Sequence, residues 1–141
     1  LDFGCGPGGF SLAAARLGGP NGRIYALDIQ PQALNLVRRR ARKQGNGNIY
    51  PVDPAGMDGL PARSVDMALI YDVLHGMEDD EWRHAAVRAI HRLLKPKGVL
   101  SVSDHHMNME TLVATAAQEG LFRHLKRGPV TIEFEKVEVN Q

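Results

Sequence analysis

The chain has 141 residues, with 17 Lys and Arg against 16 Asp and Glu and a formal net charge of +1. That length suits one domain with a real core, and the charge balance gives no reason to expect nucleic acid as the default partner. The single cysteine, Cys5, excludes a disulfide framework and a multi-cysteine metal site and points to a reducing, cytoplasmic setting; no apolar run approaches a membrane span.

The first residues, Leu1-Asp2-Phe3-Gly4-Cys5-Gly6-Pro7-Gly8-Gly9-Phe10, read as the stub of an apolar strand entering a glycine turn. No Met precedes them and the strand is already under way. The sequence is therefore expected to be one domain over residues 1–141 that is N-terminally incomplete, lacking a helix and most of the first strand. A helix is predicted over Ser11–Leu17 and a strand over Arg23–Leu27, closed by Asp28. Pro31 opens the next helix, Gln32–Gln44, whose Ala33, Leu34, Val37 and Ala41 recur at helical spacing until Gly45–Asn48 stops it.

Ile49–Val52 is a short strand ending at Asp53, and Met67–Tyr71 is apolar enough to be a strand buried on both faces. A long amphipathic helix follows over Asp79–Leu94, with Trp82, Ala86, Ile90, Leu93 and Leu94 on one side, and Trp82 is expected in the core or a lid. Lys95-Pro96-Lys97-Gly98 ends it, Val99–Ser103 is the next strand, and Met109–Gln118 a further helix. The tail, Phe122–Lys126 and Thr131–Val137, alternates around Gly128-Pro129 as a hairpin does. Strands alternating with helices imply an α/β fold with a mostly parallel sheet.

Gly4, Gly6 and Gly9 satisfy G-x-G-x-x-G between a strand and a helix, and Asp28 stands where a ribose-binding carboxylate is expected. This is a nucleotide-type cofactor site. A dinucleotide would bring an anionic pyrophosphate to the helix N-terminus. S-adenosylmethionine brings a sulfonium, an ammonium and a carboxylate, with net positive charge. Asp2 would repel the first and hold the second, and Pro7 removes an N–H that a phosphate cradle would use. Asp53 and Asp72 place further acids at the carboxyl ends of strands, where doubly wound sheets bind ligands. The chemistry favours S-adenosylmethionine.

The residues also resemble a known family. Leu1-Asp2-Phe3-Gly4-Cys5-Gly6-Pro7-Gly8 resembles the L-D-x-G-C-G-x-G motif of class I S-adenosylmethionine-dependent methyltransferases of the small-molecule type. Tyr25-Ala26-Leu27-Asp28 is similar to the second-strand segment whose acid holds both ribose hydroxyls. Val52-Asp53, Leu60-Pro61 and Ser64-Val65-Asp66 are similar to the segment that contacts adenine and enters strand four. Val73-Leu74-His75 resembles the family's V-L-H, and Leu93-Leu94-Lys95-Pro96-Lys97-Gly98 its L-L-K-P-G-G turn. The resemblance implies a Rossmann-like, doubly wound, seven-stranded sheet with an antiparallel last strand and a missing N-terminal helix. Gly76 stands where the family often has a second His, and Pro54 where it has a small residue.

Cofactor contacts are accordingly expected at Asp2, Gly4, Cys5, Gly6, Asp28, Ile29, Asp53, Pro54 and Tyr71. Each acid has a plainer reading: Asp28 as a cap for the helix at Pro31, Asp53 as a turn residue, Asp2 as a strand-end acid. His75 either deprotonates an acceptor or packs under the glycine turn against backbone, and the structural role is preferred. Asp104, His105 and His106 follow strand five on the ligand edge and are further candidates for a general base; the catalytic residue is otherwise unassigned and no metal is expected. The run Arg38-Arg39-Arg40-Ala41-Arg42-Lys43 is read as a solvated helix face.

The expected activity is methyl transfer by in-line displacement to a small-molecule acceptor, with no nucleic-acid or membrane partner and an oligomeric state left open. The competing readings are an NAD-dependent Rossmann oxidoreductase and a non-catalytic S-adenosylmethionine-binding module.

Overall fold

The computed structural model describes residues 1–139. Its seven strands, β1 (Asp2–Phe3), β2 (Ile24–Leu27), β3 (Ile49–Val52), β4 (Val65–Tyr71), β5 (Leu94–Ser103), β6 (Phe122–Arg127) and β7 (Ile132–Lys136), form one sheet in the order β3-β2-β1-β4-β5-β7-β6. By the density of their internal contacts, residues 1–60 and the residues from Pro61 onward form two compact units.

In the first unit, β1 (Asp2–Phe3) leads through the glycine turn into α1 (Gly9–Gly18). There follow β2 (Ile24–Leu27), α2 (Pro31–Lys43), β3 (Ile49–Val52) and a short α3 (Pro54–Asp58). β1, β2 and β3 are parallel, with Asp2 beside Ala26 and Leu27 beside Val52. The helical spacing of α2 does what its pattern implies: Leu34, Val37 and Ala41 are buried with Cys5, Leu12, Ala15, Ala26 and Ile49. Asn48 closes α1, its side-chain amide donating to the carbonyls of Ala15 (3.0 Å) and Gly19 (2.8 Å). Of the basic run on α2, Arg38 is held by Asn35 and Arg40 reaches the Pro7 carbonyl at 2.7 Å.

The second unit contains β4 (Val65–Tyr71), α4 (Asp80–Leu93), β5 (Leu94–Ser103), α5 (Met109–Ala117), β6 (Phe122–Arg127) and β7 (Ile132–Lys136). β4 and β5 are parallel, whereas β7 lies antiparallel between β5 and β6. The tail is thus the expected hairpin, and the last strand is the antiparallel one. Ala68, Ile70, Leu100, Val102, Ile132 and Phe134 fill the sheet interior, with Val87, Ile90, Leu93 and Leu112 supplied by the helices.

Three expectations need correction. β4 is not buried on both faces, since Met67 is 43% exposed and Asp66 pairs at 2.7 Å with Lys95 on the surface. Trp82 is not in the core: it sits in the first turn of α4 and is 68% exposed. Lys95–Gly98 does not delay strand five. Pairing begins at Leu94 opposite Val65 and resumes at Val99 opposite Met67, so the four residues between bulge out. Lys97 takes a left-handed φ of 61° there, and a Cβ on Gly98 would lie 2.8 Å from the Lys95 carbonyl oxygen.

Candidate active site

The glycine turn is built from backbone bonds that point inward. The amides of Gly4 and Cys5 both donate to the Leu27 carbonyl, at 2.9 and 2.8 Å, which ties the turn to the end of β2. Gly8 N–H donates to Cys5 O at 2.9 Å, and Gly6 N–H donates to Asp28 Oδ2 at 2.9 Å. Pro7 has no N–H to offer. The amides of Gly4, Cys5, Gly6 and Gly8 are therefore spent on Leu27, Asp28 and Cys5, and none of these four is left to cradle a diphosphate.

Its shape is set by left-handed glycines, with φ of 77° at Gly4, 50° at Gly6 and 84° at Gly8. A Cβ at Gly6 would meet nothing within 4 Å, whereas one at Gly8 would lie 2.7 Å from Val37 Cγ2. Gly8 is there so that the turn packs on α2. Gly6 leaves open space that a ligand's backbone approach would use.

Asp28 holds both sides of this space together. Its Oδ2 takes the Gly6 amide and its Oδ1 takes the Gln30 amide at 2.9 Å, so it braces the entry to α2 as well as the turn. A carboxylate accepts about four hydrogen bonds, so both oxygens keep capacity for vicinal hydroxyls. The neighbouring Ile29 is exposed and offers an apolar surface. Asp53 N-caps α3, its Oδ1 accepting from Gly56 N–H at 2.7 Å, with Pro54 in the first turn. That helix was not foreseen, although Asp53-Pro54 is itself the signal for it.

Asp2 is 4% exposed and its Oδ2 accepts from the hydroxyl of the buried Ser11 at 2.6 Å. Burial raises its pKa, against the bond from Ser11. Cys5 is buried too, and burial next to Asp2 and Asp28 pushes its thiol up to about 12, so it is no nucleophile.

In the second unit the carboxyl ends of β4 and β5 carry side-chain pairs. Tyr71 OH and Ser101 Oγ lie 2.8 Å apart. Asp104, whose side chain is fully buried, accepts from the backbone amides of His75 (3.0 Å) and His106 (2.9 Å). The same carboxylate faces His75 Nδ1 at 3.0 and 3.1 Å. Burial pushes Asp104 upward, but the His106 amide and the bonds from His75 outweigh it, and its pKa lies below the usual carboxylate value. An ionised carboxylate only accepts, so Nδ1 carries the proton and Nε2 of the neutral ring has a free lone pair.

The His75 ring is thus held by a carboxylate through Nδ1. The His106 ring lies against that ring, tilted by 48° with ring centroids 4.3 Å apart. His105 donates its amide to Asp72 Oδ1 at 2.8 Å and sets Nδ1 against the same carboxylate at 2.9 Å, bonds that lower the Asp72 pKa. Sequence reasoning missed Asp104 as the partner of His75, since 29 positions separate them. Among the described residues no cluster of three His, Cys, Asp or Glu side chains is arranged to hold a metal ion.

A family profile described as a methyltransferase domain matches residues 1–98. The chain belongs to the methyltransferase-domain family. Among its relatives, the ubiquinone biosynthesis O-methyltransferase of Cupriavidus pinatubonensis is 29% identical over 140 residues, 96% of this chain and 52% of that protein. O-methyltransferase 3 of Dictyostelium discoideum is 29% identical over 126 residues, covering 85% of this chain and 28% of that one. The solved structure of a SAM-dependent methyltransferase from Aquifex aeolicus shares the fold with a TM-score of 0.77 at 19% identity, over 96% of this chain and 79% of that one. The chain spans 23% to 52% of the length of the first curated relatives it matches.

Membership in this methyltransferase family bears out the class I resemblance, and with it S-adenosylmethionine as the cofactor. The turn fits that group. Its spent amides, the open space at Gly6 and the acids Asp2 and Asp28 suit a cationic nucleoside better than a pyrophosphate. No helix among the described residues is long and apolar enough to cross a membrane.

Proposed function

We propose that this methyltransferase domain catalyses transfer of a methyl group from S-adenosylmethionine to a small organic acceptor by in-line displacement. The observation that carries the reading is the glycine turn whose amides at Gly4, Cys5, Gly6 and Gly8 are bonded within the protein while Gly6 stays open. Asp28 receives the ribose hydroxyls, Asp2 the ammonium, and Ile29, Asp53 and Pro54 border the adenine. Gly4 and Cys5 shape the turn by their backbone, and Tyr71 contributes from the end of β4.

Bound S-adenosylmethionine supplies a methyl group already activated by its sulfonium. The protein's task is alignment, and orientation of this kind is worth about 7–11 kcal/mol of barrier. As the acceptor atom forms its bond to the methyl carbon, the carbon–sulfur bond breaks and its electron pair stays on sulfur. Where the acceptor carries a proton, His75 Nε2 takes it, with Asp104 holding the ring and stabilising the imidazolium. His105 and His106 border that base. The O-methyltransferase relatives support a small organic acceptor, and α2 spends Arg38 and Arg40 on protein partners, which supports no nucleic-acid role. A reducing, cytoplasmic setting suits the buried thiol of Cys5.

Equilibrium binding of S-adenosylhomocysteine tests the site. Asp28→Ala is expected to weaken it about 10- to 100-fold, the worth of lost bonds to a charged group, while His75→Ala leaves it within about twofold. Equal and negligible effects would remove this assignment. Tight binding with no transfer to any member of a broad acceptor panel would favour a non-catalytic module.

A further inference from the structure

The acid expected to meet the cofactor's ammonium is almost fully enclosed, and enclosure favours its neutral form. A protonated Asp2 has no charge to offer a cation. The neighbour that opposes this is Ser11, in the first turns of α1 and itself 0% exposed. Its Oγ–H donates to Asp2 Oδ2 at 2.6 Å, the separation of a charge-assisted O–H···O⁻ bond. We propose that Ser11 is a positioning residue for cofactor binding, whose hydroxyl keeps the Asp2 carboxylate ionised and oriented towards the methionine ammonium. The proposal rests on the S-adenosylmethionine reading above, and nothing in the glycine motif itself assigns Ser11 a role.

The other groups facing Asp2 do not substitute for that hydroxyl. Asp28 is a like charge and disfavours a second carboxylate. Cys5, with its thiol pushed up to about 12, is neutral and adds none. The Ser11 backbone amide acts in the same direction as the hydroxyl and survives its removal. Raising the pKa of Asp2 favours its protonated form, so any loss of affinity from removing the hydroxyl grows as the pH falls. The hydroxyl's contribution is therefore read from the pH dependence of binding more than from its size at one pH.

The test is calorimetric titration of the chain with S-adenosylhomocysteine between about pH 5 and 8. A parallel series uses 5′-methylthioadenosine, which keeps the nucleoside but has neither ammonium nor carboxylate. Ser11→Ala is expected to weaken S-adenosylhomocysteine about tenfold near pH 6, with affinity recovering towards pH 8, and to leave 5′-methylthioadenosine unchanged throughout. Ser11→Cys, nearly isosteric but a weak donor, should fall between wild type and Ser11→Ala and guards against a packing defect. An unaltered pH profile in both variants, or an equal loss for both ligands, would overturn the proposal. Wild-type binding of neither ligand would overturn the cofactor reading on which it stands.

Discussion

The turn after β1 and the edge after β4 and β5 are both suited to meet a ligand, but they are made from different materials. The first is almost all backbone: inward-pointing amides, three left-handed glycines and one bracing carboxylate. The second is mostly side chain: a buried carboxylate behind His75, an exposed one behind His105, and a third imidazole tilted against the first. Backbone geometry fixes where a constant ligand lies, whereas side-chain pairs set which proton can move. The first region suits the part of the reaction that a family shares, and the second the part that varies with acceptor.

That division can be broken most sharply within the turn. Gly6→Val places a side chain in the open space where the cofactor is proposed to approach, so S-adenosylhomocysteine binding should fall more than 100-fold, as a filled backbone approach requires. Both substitutions strain a left-handed backbone, but only at Gly8 does the new Cβ also overlap a neighbour, so the urea transition of Gly6→Val should move less than that of Gly8→Ala. There the new Cβ meets Val37 Cγ2 at 2.7 Å in a left-handed backbone, and a loss of about 2–4 kcal/mol is expected from overpacking and strain. If the two glycines exchange phenotypes, the ligand does not approach at Gly6.

Asp104→Asn should act on turnover alone, lowering kcat for a proton-bearing acceptor about 100-fold, as loss of a general base does, with cofactor affinity unchanged. It should also alter acid sensitivity. Asp104 and Asp72 titrate below their ordinary value, so the order they confer is complete above about pH 4 and is lost as the pH falls through their lowered values. Removing the buried acid should flatten that part of the acid transition followed by circular dichroism. The smallest effect is expected at the exposed pair. Asp72→Asn breaks a contact with His105 that is open to solvent, and kcat should stay within about threefold, in keeping with surface pairs worth at most about 1 kcal/mol.

The two regions also differed in how far the sequence disclosed them. The turn is local: Asp2, the glycines and Asp28 lie within one strand–helix–strand unit, where spacing alone dictates geometry. Even so, spacing identified the acids but not the bonds that Asp28 and Asp53 already make to backbone. The His75–Asp104 pair depends on the register of two parallel strands, and no pattern within either segment encodes that register. Similar limits explain the rest. The bulge at Lys95–Gly98 looked like a stop because Pro and Gly end helices, yet Leu94 still reaches its partner on β4. Trp82 fits the helical stripe of α4 but stays exposed in its first turn, while Ala86, Ile90 and Leu93 are buried, so amphipathic spacing overstated the core.

The account turns on which cofactor the glycine turn accepts, and one competition measures it. The chain is titrated with S-adenosylhomocysteine and, separately, with NADH, and each complex is challenged with the other ligand. Saturable binding of S-adenosylhomocysteine that NADH does not displace is the predicted result. Saturable NADH binding indifferent to S-adenosylhomocysteine would contradict it.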